Sequence, residues 1–156
     1  YSCGLRVSEL IDLNISDLFL DENLIKVLGK GNKERFVPVS NTAKKLIFEY
    51  IESIRNFKKI KKGHEDTLFI NNRGQKLTRV MIYTILNNLA NHIGLKKKIS
   101  PHVLRHSFAT HLIENGADII SIQKMMGHEN IVTTEKYLHV KSKHLIDSVL
   151  KYHPRS

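Results

Sequence analysis

The sequence predicts one mostly helical α+β domain that contains a small antiparallel three-stranded sheet. The chain has 156 residues, of which 41% are hydrophobic, and this is enough to bury one compact core. Three short runs with strand character, 17–20, 24–28 and 35–39, are separated by turn residues. Most of the remaining chain carries apolar residues at helical spacing, so helices should surround the sheet.

A short helix and a glycine-rich hairpin tip are the first predicted features along the chain. Gly4 precedes a helix over 6–13, on which Arg6 and Glu9 lie three residues apart on one face. The apolar residues of its other face are Val7, Leu10 and Ile11. Between the second and third strands, two glycines flank Lys30 in the turn 29–33, which predicts a hairpin tip whose backbone can approach a ligand closely.

Two amphipathic helices are predicted in the middle of the chain. Ser40 or Asn41 caps the first, and Thr78 caps the second, which ends at Gly94. The residues expected to face the core are Ala43, Leu46, Ile47, Tyr50, Ile51 and Ile54 in the first helix and Ile82, Leu86, Leu89, Ala90 and Ile93 in the second. Between them, the basic run 55–62 is interpreted as a solvated loop, and 67–70 is a possible strand.

The last third of the chain reads as four helices. Ser100 as N-cap and Pro101 at the first helical position begin a helix that Gly116 ends. Its apolar stripe is Leu104, Phe108 and Leu112. A second helix covers 118–126 and stops at Gly127, a third starts near Thr133 and carries Tyr137, and a terminal helix covers 142–152.

The charge balance favours a polyanionic partner. Lys and Arg number 25 against 15 Asp and Glu, and no acidic residue occurs between Asp66 and Glu114. Basicity alone does not choose between nucleic acid and an anionic membrane, but the sequence has no long apolar run that would anchor the chain. The single cysteine, Cys3, excludes an internal disulfide framework and suits a reducing cytoplasm.

The segment SPHVLRHSFATHL, residues 100–112, predicts an anion-binding helix face. His102 and Arg105 are three residues apart, so a guanidinium and an imidazole can converge on one small anion. His106 and His111 are offset from this pair and are interpreted as packing or hydrogen-bonding residues. A structural zinc site is the alternative use of nine histidines, but it is weak because there is one cysteine and no convincing third ligand.

Four segments in order resemble the tyrosine recombinases, the integrase family that includes the Xer chromosome-resolution enzymes. They are GLRVSEL, GKGNKER, SPHVLRHSFATHL and MMGHENIVTTEKY, and the ending HVKSKHLIDSVLKYHPRS is also similar to a Xer-type member. The resemblance runs over nearly the whole chain. It implies a catalytic domain over 1–156, without the family's N-terminal DNA-clamping domain and without the first helix of the catalytic domain.

The resemblance implies a role for each matching residue. Tyr137 would attack a backbone phosphate and form a 3′-phosphotyrosyl enzyme, while Arg6 and Arg105 would hold the non-bridging oxygens. Glu9 would orient Arg6, and Lys30 would protonate the leaving 5′-oxygen. His102 and His128 would donate to the phosphate or help to move the proton of the tyrosine. No metal ion or nucleotide cofactor is required.

The resemblance implies that the partner is double-stranded DNA, bound through a homo- or hetero-tetramer in which the terminal helix 142–152 docks on a neighbouring subunit. Phosphate contacts are assigned to basic residues outside the catalytic set. These are Lys33, Arg35, Lys58, Lys59, Arg73, Arg79, Lys97 and Lys98. Lys33 and Arg35 share the hairpin with Lys30 and are expected to contact DNA phosphate or solvent. A type IB topoisomerase and a non-catalytic DNA-binding integrase fragment are the alternatives.

Overall fold

The computed structural model describes residues 1–127 and 140–154 of the chain. The helices are α1 (Val7–Asp12), α2 (Asn41–Ser53), α3 (Arg79–His92), α4 (Pro101–Glu114), α5 (Ile119–Met126) and α6 (Val140–Tyr152). The strands are β1 (Leu18–Phe19), β2 (Leu24–Leu28) and β3 (Glu34–Pro38), with short 3₁₀ turns at Ile15–Asp17, Lys30–Asn32 and Arg55–Phe57. The α+β fold class is confirmed, and the predicted helix near Thr133 lies outside the described residues.

The three strands form one antiparallel sheet in the order β1-β2-β3, with β2 in the centre. Ile25 pairs with Val37, and Val27 pairs with Arg35, so these four residues share one face of the sheet. That face is the centre of a hydrophobic cluster, which we call the sheet core. Its buried members are Leu13, Leu20, Ile25, Val27, Val37, Val39 and Leu68. Alternation along β3 therefore points Arg35 toward the interior of the protein.

A second hydrophobic cluster joins α4, α5 and α6. It contains Phe108, Leu112, Ile122, Met125 and Val149, all buried. Gly4 packs directly on this cluster, because its φ of 58° is left-handed and a Cβ at this position would lie 2.4 Å from the ring of Phe108. This close approach places the start of α1, and with it Arg6, against α4.

The helix starts agree with the sequence, whereas several predicted core positions do not. The side chains of Ser40, Thr78 and Ser100 cap α2, α3 and α4, each accepting a hydrogen bond from a backbone amide three residues later. Four apolar residues expected in the core are exposed, namely Leu46, Ile54, Leu89 and Ile93. Helical periodicity identifies an apolar stripe, but a neighbour that covers only part of the stripe leaves its edge in solvent.

Two connecting segments also differ from expectation. Arg55, predicted in a solvated loop, is buried and donates from Nε to the carbonyl of Thr67 at 3.0 Å and from Nη2 to that of Glu65. The predicted strand 67–70 forms only isolated antiparallel bridges, Asn14 with Thr67 and Ile70 with Lys76. Backbone carbonyls that no strand partner satisfies are thus bonded by an arginine side chain.

Candidate active site

Arg6 and Glu9 form the first pair of the site, at the start of α1. Arg6 is the N-cap residue, and its backbone amide donates to Oε2 of Glu9 at 2.8 Å. Its Nη1 donates to Oε1 of the same carboxylate at 2.9 Å. Glu9 is 4% exposed, whereas the side chain of Arg6 is 34% exposed. Glu9 therefore binds Arg6 at two points and leaves part of the guanidinium accessible.

Arg35 binds the other side of the same carboxylate. Its Nη1 and Nη2 donate to Oε1 and Oε2 of Glu9 at 2.8 and 2.9 Å, and its Nε donates to the carbonyl of Met125 at 2.9 Å. Arg35 is 8% exposed. Its assignment to DNA phosphate or solvent is thus corrected, because strand alternation turns this side chain inward and its donors are engaged by Glu9 and α5.

Arg105 completes the group from α4. It is 7% exposed and donates from Nη1 to the carbonyl of Gly4 and from Nη2 to that of Met126. Its Nη1 lies 3.9 Å from Oε2 of Glu9. We call the four residues Arg6, Glu9, Arg35 and Arg105 the arginine cluster. The cluster joins the turn before α1, the hairpin, α4 and the end of α5.

The last three carbonyls at the end of α5 each accept a hydrogen bond from a different arginine. Arg35 binds the carbonyl of Met125, Arg105 binds that of Met126, and Nη2 of Arg6 binds that of Gly127 at 3.1 Å. A helix leaves its last carbonyls without intrahelical partners. The arginines supply those partners and so fix the position of Gly127, the residue that precedes His128.

The arginine cluster has an excess of positive charge. Three guanidiniums surround one carboxylate, which leaves two positive charges unbalanced. Burial would raise the pKa of Glu9, but hydrogen bonds from Arg35 and Arg6 outweigh burial and hold this pKa below its ordinary value. Burial, together with the charge of Arg6, lowers the pKa of Arg105 to about 10, so both groups are ionised at neutral pH. Such a site favours an anion of charge −2.

The remaining predicted catalytic residues are described to different extents. His102 is exposed on α4, one turn before Arg105. Lys30 begins the 3₁₀ turn at the hairpin tip, where the backbone amide of Gly29 donates to the carbonyl of Lys33 at 2.8 Å. Lys33 is exposed. His128 and Tyr137 lie outside the described residues.

The other histidines of α4 are separate from the cluster. His111 is hydrogen-bonded through Nδ1 to the hydroxyl of Tyr1, as expected for a hydrogen-bonding residue, and His106 is exposed. Within residues 1–127 and 140–154, no three metal-ligating side chains are grouped to hold an ion. None of the helices in the described part of the chain combines the length and apolar character needed to cross a membrane.

Most of the predicted phosphate-binding residues are on the surface. Arg73, Arg79, Lys59, Lys97 and Lys98 are exposed. Lys58 is partly buried, and its Nζ donates to Oδ1 of Asn72 at 2.8 Å. The backbone amide of Lys61 donates to the carbonyl of Gly74 at 3.0 Å. These two contacts bring Lys58 and Lys59 beside the turn that carries Arg73.

Comparisons of sequence and structure identify the family of this chain. Residues 1–144 match the model of the phage integrase family. The chain belongs to this family. The tyrosine recombinase XerD of Oceanobacillus iheyensis is 49% identical over 156 residues, which are 100% of this chain and 52% of that protein. The tyrosine recombinase XerC of Thermodesulfovibrio yellowstonii is 50% identical over 159 residues, which are also 52% of its length. This integrase-family chain therefore spans about half the length of the curated relatives it matches.

Solved structures of integrase-family recombinases have the same fold. XerA recombinase matches with a TM-score of 0.75 and 34% identity over 94% of this chain and 50% of its own. XerH recombinase in a pre-cleavage complex with its difH substrate matches with a TM-score of 0.69 and 32% identity over 82% of this chain and 37% of its own. The α+β architecture of this chain is that of a tyrosine recombinase catalytic domain.

Sequence reasoning found Arg6, Glu9 and Arg105 but missed the fourth member of the cluster. Strand periodicity contained the signal for Arg35, because residues 35, 37 and 39 alternate onto one face, and Val37 and Val39 are apolar. The carbonyl acceptors on Gly4, Met125, Met126 and Gly127 left no such signal. A backbone oxygen is present at every residue, so sequence does not distinguish the ones that bind an arginine.

Proposed function

We propose that the chain is the catalytic domain of a site-specific DNA recombinase that cuts and rejoins strands through a 3′-phosphotyrosine. The observation that carries this proposal is the arginine cluster, in which Arg6, Arg35 and Arg105 surround Glu9 and leave two uncompensated positive charges. A phosphodiester under attack by a tyrosinate oxygen gains a second negative charge as the five-coordinate transition state forms. Preorganised guanidiniums stabilise such developing charge.

The proposed reaction conserves the energy of the phosphodiester. The oxygen of Tyr137 forms a bond to phosphorus, and the bond between phosphorus and the 5′-oxygen breaks. Lys30 gives its proton to that 5′-oxygen, and Lys33, exposed on the same hairpin, is the alternative donor. His102 and His128 donate to the phosphate or move the tyrosine proton. Rejoining reverses these steps with the 5′-hydroxyl of another strand, so neither metal nor nucleotide is required.

The proposed DNA grip combines this site with the exposed basic residues. Lys33, Lys59, Arg73, Arg79, Lys97 and Lys98 are exposed and would contact backbone phosphates without reading sequence. Such a binding mode weakens as salt rises, because bound lysines and arginines release counterions from DNA. The partly buried Lys58 would contribute less, since it is bonded to Asn72. The site of action would be the cytoplasm, where chromosomal or phage DNA is available.

The proposed assembly is a tetramer on two duplexes with exchange of the terminal helix. In this structure α6 packs on β3, α4 and α5 of its own chain, with Val149 fully buried. Exchange would place α6 on the same surface of a neighbouring subunit and would preserve those contacts.

A covalent-trapping experiment tests the proposed reaction. A nicked duplex, from which the cleaved fragment diffuses away, should accumulate a covalent adduct with the intact protein but not with Tyr137→Phe. The substitution removes one oxygen, so DNA affinity and its dependence on salt should stay unchanged. An adduct that persists in Tyr137→Phe would place the nucleophile elsewhere. Absence of any adduct with the unchanged protein would favour a non-catalytic DNA-binding fragment, and relaxation of supercoiled DNA without a defined site would favour a topoisomerase.

A further inference from the structure

Arg35 contacts three of the parts from which the proposed active site is built. It belongs to β3, the strand that follows the hairpin tip carrying Lys30. Its guanidinium binds Glu9 through two hydrogen bonds, and Glu9 in turn binds Arg6. Its Nε binds the carbonyl of Met125 near the end of α5. One buried side chain thus links the hairpin, the Arg6–Glu9 pair and the segment that leads to His128.

Two glycines, Gly29 and Gly127, lie against this guanidinium. A Cβ at Gly127 would lie 3.2 Å from Cζ, Nε and Nη1 of Arg35, and a Cβ at Gly29 would lie 3.3 Å from Nη1. These distances are shorter than most Cβ contacts in proteins, so a methyl group at either position would displace the guanidinium by a few tenths of an ångström. The end of α5 and the hairpin tip therefore pack closely on Arg35.

We propose that Arg35 is a positioning residue of the recombination reaction, which holds the hairpin tip and the end of α5 in fixed relation to the phosphate-binding arginines. This inference rests on the proposed function above. Arg35 does not touch DNA itself in this proposal, since it is 8% exposed and each of its three guanidinium nitrogens donates to Glu9 or Met125. It acts on the reaction through the residues that it holds.

The chemistry of the contact requires an arginine. A planar guanidinium can bind both oxygens of a carboxylate and still direct Nε to a third acceptor, whereas a lysine ammonium is a compact point charge. Lysine at position 35 would keep the positive charge and could bind Glu9, but it could not hold Glu9 at two points and Met125 together. Misplacement of catalytic groups by about 1 Å can slow a reaction about 10²-fold.

The first test compares Arg35→Lys with Arg55→Lys in the intact protein. Arg55 is a matched control, because it is 5% exposed and binds backbone carbonyls at 65 and 67, outside the arginine cluster. Single-turnover cleavage of the nicked duplex is measured at saturating DNA, together with the dissociation constant of the DNA and the melting temperature. Arg35→Lys should cleave about 10²-fold more slowly with unchanged DNA affinity. Arg55→Lys should lose melting temperature alone.

The second test keeps Arg35 and adds a methyl group beside its guanidinium. Gly127→Ala and Gly94→Ala carry the same backbone penalty, since both glycines end helices with φ near 65° and 68°. A Cβ at Gly94 meets nothing within 4 Å, whereas a Cβ at Gly127 meets Arg35. Both variants should lose similar stability, but only Gly127→Ala should cleave slowly at saturating DNA. This pair keeps the inference testable if Arg35→Lys does not fold.

Each outcome decides the inference. Cleavage by Arg35→Lys at the rate of the unchanged protein would overturn it, and so would equal cleavage by Gly127→Ala and Gly94→Ala. Weaker DNA binding by Arg35→Lys with an unchanged cleavage rate at saturation would return Arg35 to the role of a DNA contact. If the unchanged protein forms no adduct, the proposed function is wrong. That result differs from a failure of the Arg35 inference, in which the unchanged protein cleaves DNA and the variants cleave equally well.

Discussion

Val37 and Arg35 are two residues apart on the same strand and the same face, yet Val37 lies in an apolar environment and Arg35 in a charged one. Val37 is fully buried in the sheet core among aliphatic side chains. Arg35 is nearly as buried, but in the arginine cluster, among charges that sum to two positive units. Burying hydrocarbon stabilises a fold by about 25 cal/mol per Å², whereas burying ions costs free energy unless their partners compensate.

The two regions differ in role, because the sheet core stabilises the fold whereas the arginine cluster is the proposed site for a ligand. The sheet core needs no ligand for its stability, because its buried apolar side chains pack against one another. The arginine cluster keeps two positive charges uncompensated, which the proposed DNA phosphate would balance. We therefore expect substitutions in the core to change stability alone, and substitutions in the cluster to change stability together with its response to pH and anions.

The largest expected effect on stability comes from Ile25→Ala. Ile25 is 1% exposed and pairs with Val37 in the sheet core. Truncating a buried isoleucine removes packing and leaves a cavity, so the free energy of unfolding should fall by about 2–5 kcal/mol. Denaturant unfolding measures this loss. A loss below about 1 kcal/mol would mean that the sheet core does not hold the fold in the way its burial indicates.

A smaller loss with a distinct pH dependence is expected for Glu9→Gln. An amide still accepts hydrogen bonds but cannot balance the three arginines, and we expect a loss of about 1–3 kcal/mol at neutral pH. The pKa of Glu9 is lower in the folded chain than its ordinary value of 4.5. The charge of Glu9 therefore stabilises the fold above that value, and the contribution disappears as the pH falls through the lower folded pKa.

Unfolding curves at several pH values check this prediction. The unchanged chain and Glu9→Gln should differ most at neutral pH and should converge in strongly acidic solution. Ile25→Ala serves as the control, because its loss should not depend on the ionisation of Glu9. A constant difference between the unchanged chain and Glu9→Gln across the acidic range would show that the charge of Glu9 does not matter to the cluster.

The smallest expected effect is specific stabilisation by sulfate, a tetrahedral dianion that resembles the proposed phosphate. Binding to the folded state alone adds about 0.4 kcal/mol when sulfate equals its dissociation constant and about 1.4 kcal/mol at ten times that concentration. Sulfate also stabilises folded proteins generally by exclusion from their surface. The specific part is the increment that is present in the unchanged chain and lost in Arg6→Ala, measured against chloride at equal ionic strength. Equal increments in both proteins would contradict an anion site in the cluster.

The sequence predicted the elements of this fold better than their burial. Residues such as Ser100, Pro101 and Gly127 mark helix ends because their local chemistry determines those ends. The exposed Leu89 was expected in the core because periodicity shows which residues share a face but not how far a neighbour covers it. Arg55 was expected in solvent because nothing local indicates the carbonyls at 65 and 67 that it binds.

The sequence likewise identified some residues of the site and missed the contacts of another. The resemblance to tyrosine recombinases selected Arg6, Glu9 and Arg105, and the structure brings all three into contact distance. Alternation along its strand contained a signal for the inward position of Arg35, but Arg35 was assigned to DNA phosphate or solvent. The choice between interior and surface depended on Glu9, a partner 26 positions away in sequence, which local patterns do not reveal.

The proposed function places a phosphate near the C-terminal end of α5, which is the end of a helix that disfavours anions. Aligned peptide dipoles give a helix C-terminus a partial negative charge, which repels anions, and phosphate sites normally use helix N-termini. Here three guanidiniums donate to the carbonyls of Met125, Met126 and Gly127, so their positive charge opposes the partial negative charge of the helix end. Each arginine screens the partial negative charge of one carbonyl at this helix end. Removing any one arginine would expose one of these carbonyls and weaken the binding of an anion nearby.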